Sequence, residues 1–165
     1  MIKKIFINLP VIALLFLCGR MNAHSPSITA TGSVSMTITS ADLQSGAGSD
    51  LTSFYESNPA SVTVAVSGAA SLADEWLINV HKTDSTWHND FHLYIRRASG
   101  EDLPTGHVHE PTGTTYQEVT GSDQYFFDGS GNITGVQMQF KVSGVSVQIP
   151  PANYQTTITY TVVDI

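Results

Sequence analysis

The chain has 165 residues, of which 41% are hydrophobic and 13% charged, with one cysteine and a formal net charge of −7. A single cysteine excludes a disulfide framework, and the negative charge argues against nucleic acid or anionic lipid as a partner, because both are themselves negatively charged. The length suits one domain with a substantial core.

The first 23 residues predict an export signal. Two lysines precede the apolar run VIALLFLC, which ends at Cys18, and the small residue Ala23 stands where a signal peptidase would cleave. The run is too short to span a bilayer comfortably. We therefore predict that residues 1–23 (the leader) are a signal peptide, that His24 begins the mature chain, and that the protein is secreted, periplasmic or at the cell surface. Lipidation at Cys18 is the alternative, disfavoured because bulky Leu17 precedes it.

Loss of the leader would make the chain more acidic. All 14 acidic residues lie in residues 24–165, with only four basic ones, so the net charge becomes 4 − 14 = −10. These residues contain no cysteine, which excludes thiolate metal ligands and thiol catalysis. We expect stability to come from packing and backbone ladders.

Alternating apolar and polar residues dominate the rest of the chain. Residues 27–40 alternate apolar residues with hydroxyl side chains, which predicts one half-buried strand with a bend at Gly32. Residues 41–61 predict a long connection with one short helical turn near 51–56. Turn residues, among them DGSGN at 128–132, separate the later segments. Further strands are predicted at 61–67, 75–81, 91–97, 114–120, 136–142, 145–149 and the C-terminal run.

These segments together predict an all-β fold. About eight short alternating strands with almost no helix favour a single immunoglobulin-like antiparallel β-sandwich over residues 24–165. A small closed β-barrel is the alternative.

Candidate chemistry is sparse. No nucleophile elbow is present, so we predict no enzyme and no cofactor. His107 and His109 in GHVHE are candidate metal ligands, because residues i and i+2 face the same side of an extended backbone. They lack a third ligand at a known spacing, and two solvated loop histidines are the alternative. His88 and His92 flank Asp90 in WHNDFH, where a turn explains the polar residues equally well.

Aromatic residues offer a second kind of site. Trp87, Tyr94, Tyr116 and Tyr125 would form a sugar-stacking platform if they lay together on the surface. Packing into the core or onto a sheet face is the alternative.

Two stretches carry a family resemblance, WLINVHKTDSTWHNDFHLYIRR and VSGVSVQIPPANYQTTITYTVVD. They resemble uncharacterised bacterial secreted β-sandwich proteins, and the ending IPPANYQTTITYTV is similar to the final strand of pilin-like and spore-coat-U-like subunits. The resemblance implies a cell-surface structural or adhesive protein whose N-terminal segment supplies a strand to a neighbour. We expect association with itself by strand exchange through residues 27–40, or with surface glycans. An extracellular ligand-binding module for carbohydrate or a metal ion is the alternative function.

Overall fold

A computed structural model describes residues 3–8, 25–99 and 104–165. They form two β-sheets around one hydrophobic core, with short 3-10 turns at Ser40–Asp42 and Pro59–Ser61. Within these ranges no helix has the length and apolar character needed to cross a bilayer. The strands are, in chain order, β1 (Lys3–Asn8), β2 (Ser27–Gly32), β3 (Val34–Ile38), β4 (Phe54–Glu56), β5 (Val62–Ser67), β6 (Glu75–Asp84), β7 (His92–Arg97), β8 (Gly106–Val108), β9 (Gln117–Glu118), β10 (Gln124–Gly131), β11 (Ile133–Ser143) and β12 (Asn153–Asp164).

The strands are divided between two sheets. Sheet A has the order β3-β1-β12-β6-β10-β8, and sheet B has the order β2-β5-β11-β7-β9, with β4 also paired to β11. Among the described residues every strand pair is antiparallel except β1 with β12, which run parallel. The predicted all-β sandwich is confirmed.

The core lies between the inward faces of the two sheets, as the alternation requires. Trp76 of β6 is fully buried. Its indole ring meets Phe127 edge-on with 6.1 Å between ring centroids, and its Nε1 donates a hydrogen bond to the carbonyl of Gly131 at 2.8 Å. The buried ring therefore has its one polar atom satisfied, which removes the main cost of placing tryptophan in a core.

The strands predicted at 61–67, 75–81, 91–97, 136–142 and the C-terminal run are confirmed as β5, β6, β7, β11 and β12. Their faces also follow the prediction. In β7, Leu93 and Ile95 are fully buried while His92 is exposed. Period-two alternation was therefore a sufficient signal wherever one face of the strand packs on the core.

The single strand predicted over residues 27–40 is wrong. The segment forms two strands in different sheets, because β2 pairs with β5 in sheet B and β3 pairs with β1 in sheet A. Gly32, at the end of β2, has φ +115°, and a Cβ there would lie 2.1 Å from the carbonyl oxygen of Ser61. Glycine is needed at this position, where the chain leaves one sheet for the other.

Three further expectations need correction. Residues 145–149 form a turn rather than a strand, and residues 51–56 contain β4 rather than a helical turn. The DGSGN stretch lies mostly within β10. A Cβ on Gly129 would be 2.6 Å from the Trp76 ring, so this glycine permits close packing and does not mark a turn.

Candidate functional site

One inner strand of sheet A, next to the edge strand β3, is built from a segment that the sequence assigns to the leader. Strand β1 lies between β3 and β12, which do not pair with each other. Five residue pairs join β1 to β3 and five join it to β12. We call the space between β3 and β12 the slot. Without β1 the slot would be two strand spacings, about 9 to 10 Å, wide.

The inward face of β1 continues the core. Ile5 is fully buried and stands in register with Met36 of β3 and Tyr154 of β12. Lys4 points the other way and is exposed. The floor of the slot is therefore apolar, and β1 covers it with one face of an alternating strand.

Lys3 occupies the inward position at one end of the slot, in register with Ile38. Its side chain is fully buried, and its Nζ donates a hydrogen bond to the carbonyl oxygen of Ser146. Burial lowers the pKa of Lys3, while the nearby charge of Asp50 acts in the opposite direction. A lysine in such a position is costly, because its ammonium group has lost most of its water.

Asp50 is held beside this end of the slot by backbone groups. Its carboxylate accepts hydrogen bonds from the amide of Val147 at 2.9 Å, the amide of Leu51 at 2.8 Å and the hydroxyl of Ser146 at 3.1 Å. The two backbone hydrogen bonds are the main cause of its lowered pKa. The carboxylate is thus fixed in its charged form and oriented before any strand enters.

A cavity of about 290 Å³ opens beside the same loops. Its walls include Leu51 and Val147, the residues whose amides hold Asp50. The remaining lining residues are Thr39, Ser40, Leu43, Gly48 and Ser49. This end of the slot therefore combines the negative charge of Asp50, apolar space, and the Ser146 carbonyl, which accepts hydrogen bonds from the Ile149 amide and from Lys3.

The candidate metal ligands His107 and His109 do come together. Their ring centroids are 5.1 Å apart. His109 Nδ1 is 2.6 Å from the Asp128 carboxylate, which also accepts a hydrogen bond from the hydroxyl of Tyr125. Among the described residues no group of three or more His, Cys, Asp or Glu side chains is arranged to hold a metal ion. Metal binding by this pair stays a prediction.

The histidines of WHNDFH have different neighbours. His88 packs against the rings of Phe91 and Tyr154 at centroid distances of 5.6 and 6.0 Å. His92 Nδ1 lies 2.7 Å from a carboxylate oxygen of Glu118. His88 therefore contributes to packing and His92 to an exposed ion pair; the absence of catalysis stays a prediction.

Three of the four candidate aromatic residues have specific partners within the protein. The Lys141 ammonium lies 4.8 Å from the centroid of the Tyr94 ring and 4.3 Å from that of Tyr116. Trp87 instead donates a hydrogen bond from Nε1 to the Phe91 carbonyl at 3.0 Å. The faces of Tyr94 and Tyr116 that meet Lys141 are occupied by a cation–π contact, which reduces their use as a sugar platform.

Sequence reasoning missed the slot altogether. The leader pattern led us to exclude residues 1–23, and the lysines that mark a signal peptide hide the alternation of KKIFIN. Cys18, Ala23 and His24 lie outside the described residues. The Lys3–Ser146 contact joins residues 143 apart in sequence, so no local signal predicts it.

No family model and no curated protein matches this sequence. The slot is therefore the feature of the molecule from which a function is proposed. Two features matter: the backbone edges of β3 and β12, and the polar end formed by Ser146 and Asp50.

Proposed function

We propose that this protein is an exported structural or adhesive component of the cell surface that joins other polypeptides through its β-sheet. The observation that carries the proposal is the position of β1, because residues that read as an export signal lie between β3 and β12 in sheet A. If export removes them, β3 and β12 are left with unpaired backbone groups along the slot. A strand from another polypeptide satisfies such groups by strand addition.

An empty slot would be costly. Met36, Ile38 and Tyr154 are at most 8% exposed with β1 in place, and removing β1 would bring water to this part of the core. Strand β3 would also lose its ladder partner, since β1 is the strand with which it pairs among the described residues. Exposed apolar surface beside two open strand edges favours association with another chain.

The charge and the sequence resemblance support the same proposal. A net charge of −10 for residues 24–165 favours solubility during export and assembly. The similarity of the final strand to pilin-like subunits points to a surface role, and self-association of that kind stays a prediction.

Site-specific photo-crosslinking in the producing cell tests the proposal. The photoreactive residue p-benzoylphenylalanine replaces Thr37, an exposed residue of β3 that stands opposite Lys4 across the edge of the slot. Ser122, an exposed loop residue, is the matched control position. We expect irradiation to join the Thr37 variant to a second polypeptide in the envelope or medium, and the Ser122 variant to remain uncross-linked.

Two results would contradict the proposal. One is a protein that stays in the cytoplasm. The other is an exported protein that is monomeric by size-exclusion chromatography and gives the same cross-linking pattern at both positions.

A ligand-binding module is the second candidate function, and the closeness of His107 and His109 favours it. Two imidazoles at this separation are suited to a shared divalent cation. Calorimetric titration with Zn²⁺, Cu²⁺ and Ni²⁺ tests it, with His107→Ala as the variant and exposed His92→Ala as the control. Heat of binding that is abolished by His107→Ala alone would favour this second function.

A further inference from the structure

We propose that the slot selects its strand by charge: the occupant is a strand of a different polypeptide, parallel to β12, that carries Lys or Arg at the position of Lys3. This inference rests on the proposed function, because it names the chemistry of the partner that the slot would take.

The end of the slot offers acceptors to whatever side chain enters it. The Ser146 carbonyl receives the Lys3 ammonium, and the Asp50 carboxylate contributes attraction from nearby. Both backbone amides beside them, those of Leu51 and Val147, already donate to Asp50. An entering carboxylate would therefore meet a carbonyl oxygen and a negative charge. An entering apolar group would leave the carbonyl with the Ile149 amide as its remaining donor and would lose the charge-assisted hydrogen bond.

The neighbouring lysine provides an internal comparison. Lys4 has the same charge and lies in the same strand, but its side chain is exposed and faces solvent. Surface charges of this kind contribute little to binding. Selectivity should therefore fall on the position of Lys3 and leave the position of Lys4 free to vary.

The buried cation also fixes the register of the strand. Sliding the strand by two residues keeps its inward face but moves the ammonium to the position of Ile5, between Met36 and Tyr154. A charge without a polar partner there would cost more than the ladder can recover. A basic residue two positions before the buried Ile5 thus favours a single alignment.

The chain's own later residues do not fit this requirement. Residues 24–40, the segment expected to exchange between copies, contain no Lys or Arg. The basic residues beyond the leader lie in β6, β7 and β11, each of which has a paired strand on both sides. A second copy therefore has no available strand with the required charge, which points to a different polypeptide.

Peptide binding to the exported protein tests the inference. The protein is purified from the envelope or medium, its N-terminus is determined by mass spectrometry, and it is unfolded and refolded with a fluorescent peptide of residues 1–8 bearing a soluble tail. The comparison peptides carry Lys3→Met, Lys3→Glu, Lys4→Met or Lys4→Glu, and a further peptide covers residues 27–40. Fluorescence polarisation gives the Kd of each.

We expect Lys3→Met to weaken binding about ten- to a hundredfold, the ratio for a lost hydrogen bond to a charged group. Lys3→Glu should weaken it further, while both Lys4 changes should stay within about threefold of the parent peptide. The Asp50→Asn protein should show a smaller preference for Lys over Met. Equal binding of the Lys3 and Lys4 peptides, tighter binding by residues 27–40, or an exported protein that retains residues 3–8 would each overturn the inference.

The full chain gives a second measurement if the processed protein does not refold. With residues 1–23 retained, Lys3→Glu should lower the Tm by several degrees relative to Lys4→Glu, and equal Tm values would overturn the inference. The outcomes remain separate from those of the proposed function. Thr37 cross-links without Lys3 selectivity leave the surface role standing and overturn the inference, whereas Lys3 selectivity in an exported protein that gives no Thr37 cross-links removes the surface role alone.

Discussion

Replacing Ile5 with alanine tests whether the N-terminal strand is part of the folded sandwich. Ile5 is fully buried between Met36 and Tyr154, so truncation leaves a cavity under β1. Ile→Ala changes at such positions lower the free energy of unfolding by about 2 to 5 kcal/mol. For a domain of this size the loss corresponds to a fall in Tm of about 5 to 20 °C.

The assay is urea unfolding of the full chain, detected by tryptophan fluorescence, to which the buried Trp76 contributes. The chain is made by cell-free synthesis so that residues 1–23 are retained. Lys4→Ala is the control in the same strand, and we expect it to change stability by less than about 0.5 kcal/mol because Lys4 is exposed. Ile158→Ala in β12 should destabilise the protein in any case, because Ile158 is fully buried. A stable Ile5→Ala variant beside a destabilised Ile158→Ala variant would refute the placement of β1.

Two further predictions concern stability elsewhere in the sandwich. Gly144→Ala should lower the Tm strongly, because Gly144 has φ +78° and a Cβ there would lie 1.8 Å from the Asp90 carbonyl oxygen. Gly121→Ala is the control, because a Cβ at that position would meet its nearest atom only at 4.0 Å. Similar Tm values for the two variants would contradict the backbone geometry. The second concerns acid: burial alone would raise the pKa of Asp128, but hydrogen bonds from Tyr125 and His109 lower it below its usual 3.8. A carboxyl group with a lowered pKa stabilises the fold above pH 3.8, and this stabilisation is lost as the pH falls below 3.8 and through the lowered pKa. In that pH range the urea midpoint of the parent protein should fall more steeply than that of Asp128→Asn. Parallel profiles for the two proteins would count against this hydrogen-bond network.

Periodicity predicted most of the sandwich because most strands have one wet and one buried face. Strand β12 shows this plainly, since Ile158 and Tyr160 are buried on the face that the alternation assigns to the core. The same reasoning failed at residues 145–149. Val145 and Ile149 are buried but Val147 between them is 38% exposed, as a turn allows and a strand does not.

The division of residues 27–40 could not be predicted from alternation, because both halves keep the same period. Ile28 of β2 and Met36 of β3 are both buried, yet they belong to different sheets. The sequence predicts a bend at Gly32, but that the chain changes sheets there is shown by the close approach of Gly32 to Ser61, a contact that depends on the tertiary fold. The segment expected to be shared between subunits is thus built into both layers.

The slot was hidden for a different reason. A signal peptide begins with basic residues followed by apolar ones, and a half-buried strand alternates apolar with polar residues, so KKIFIN is compatible with either. What distinguishes them is the surroundings of Lys3: the Ser146 carbonyl accepts its hydrogen bond and the charge of Asp50 acts on it from nearby, and both residues are distant in sequence. Long-range contacts of this kind do not appear in a local pattern.

We expect another polypeptide to occupy the slot once the leader has been removed. The most direct measurement is mass spectrometry of the cross-linked product formed by the photoreactive variant at Thr37 in the producing cell. We expect a peptide from a different polypeptide, with Lys or Arg at the start of an alternating apolar segment. A cross-link to residues 3–8 of the same chain in the exported protein would contradict it.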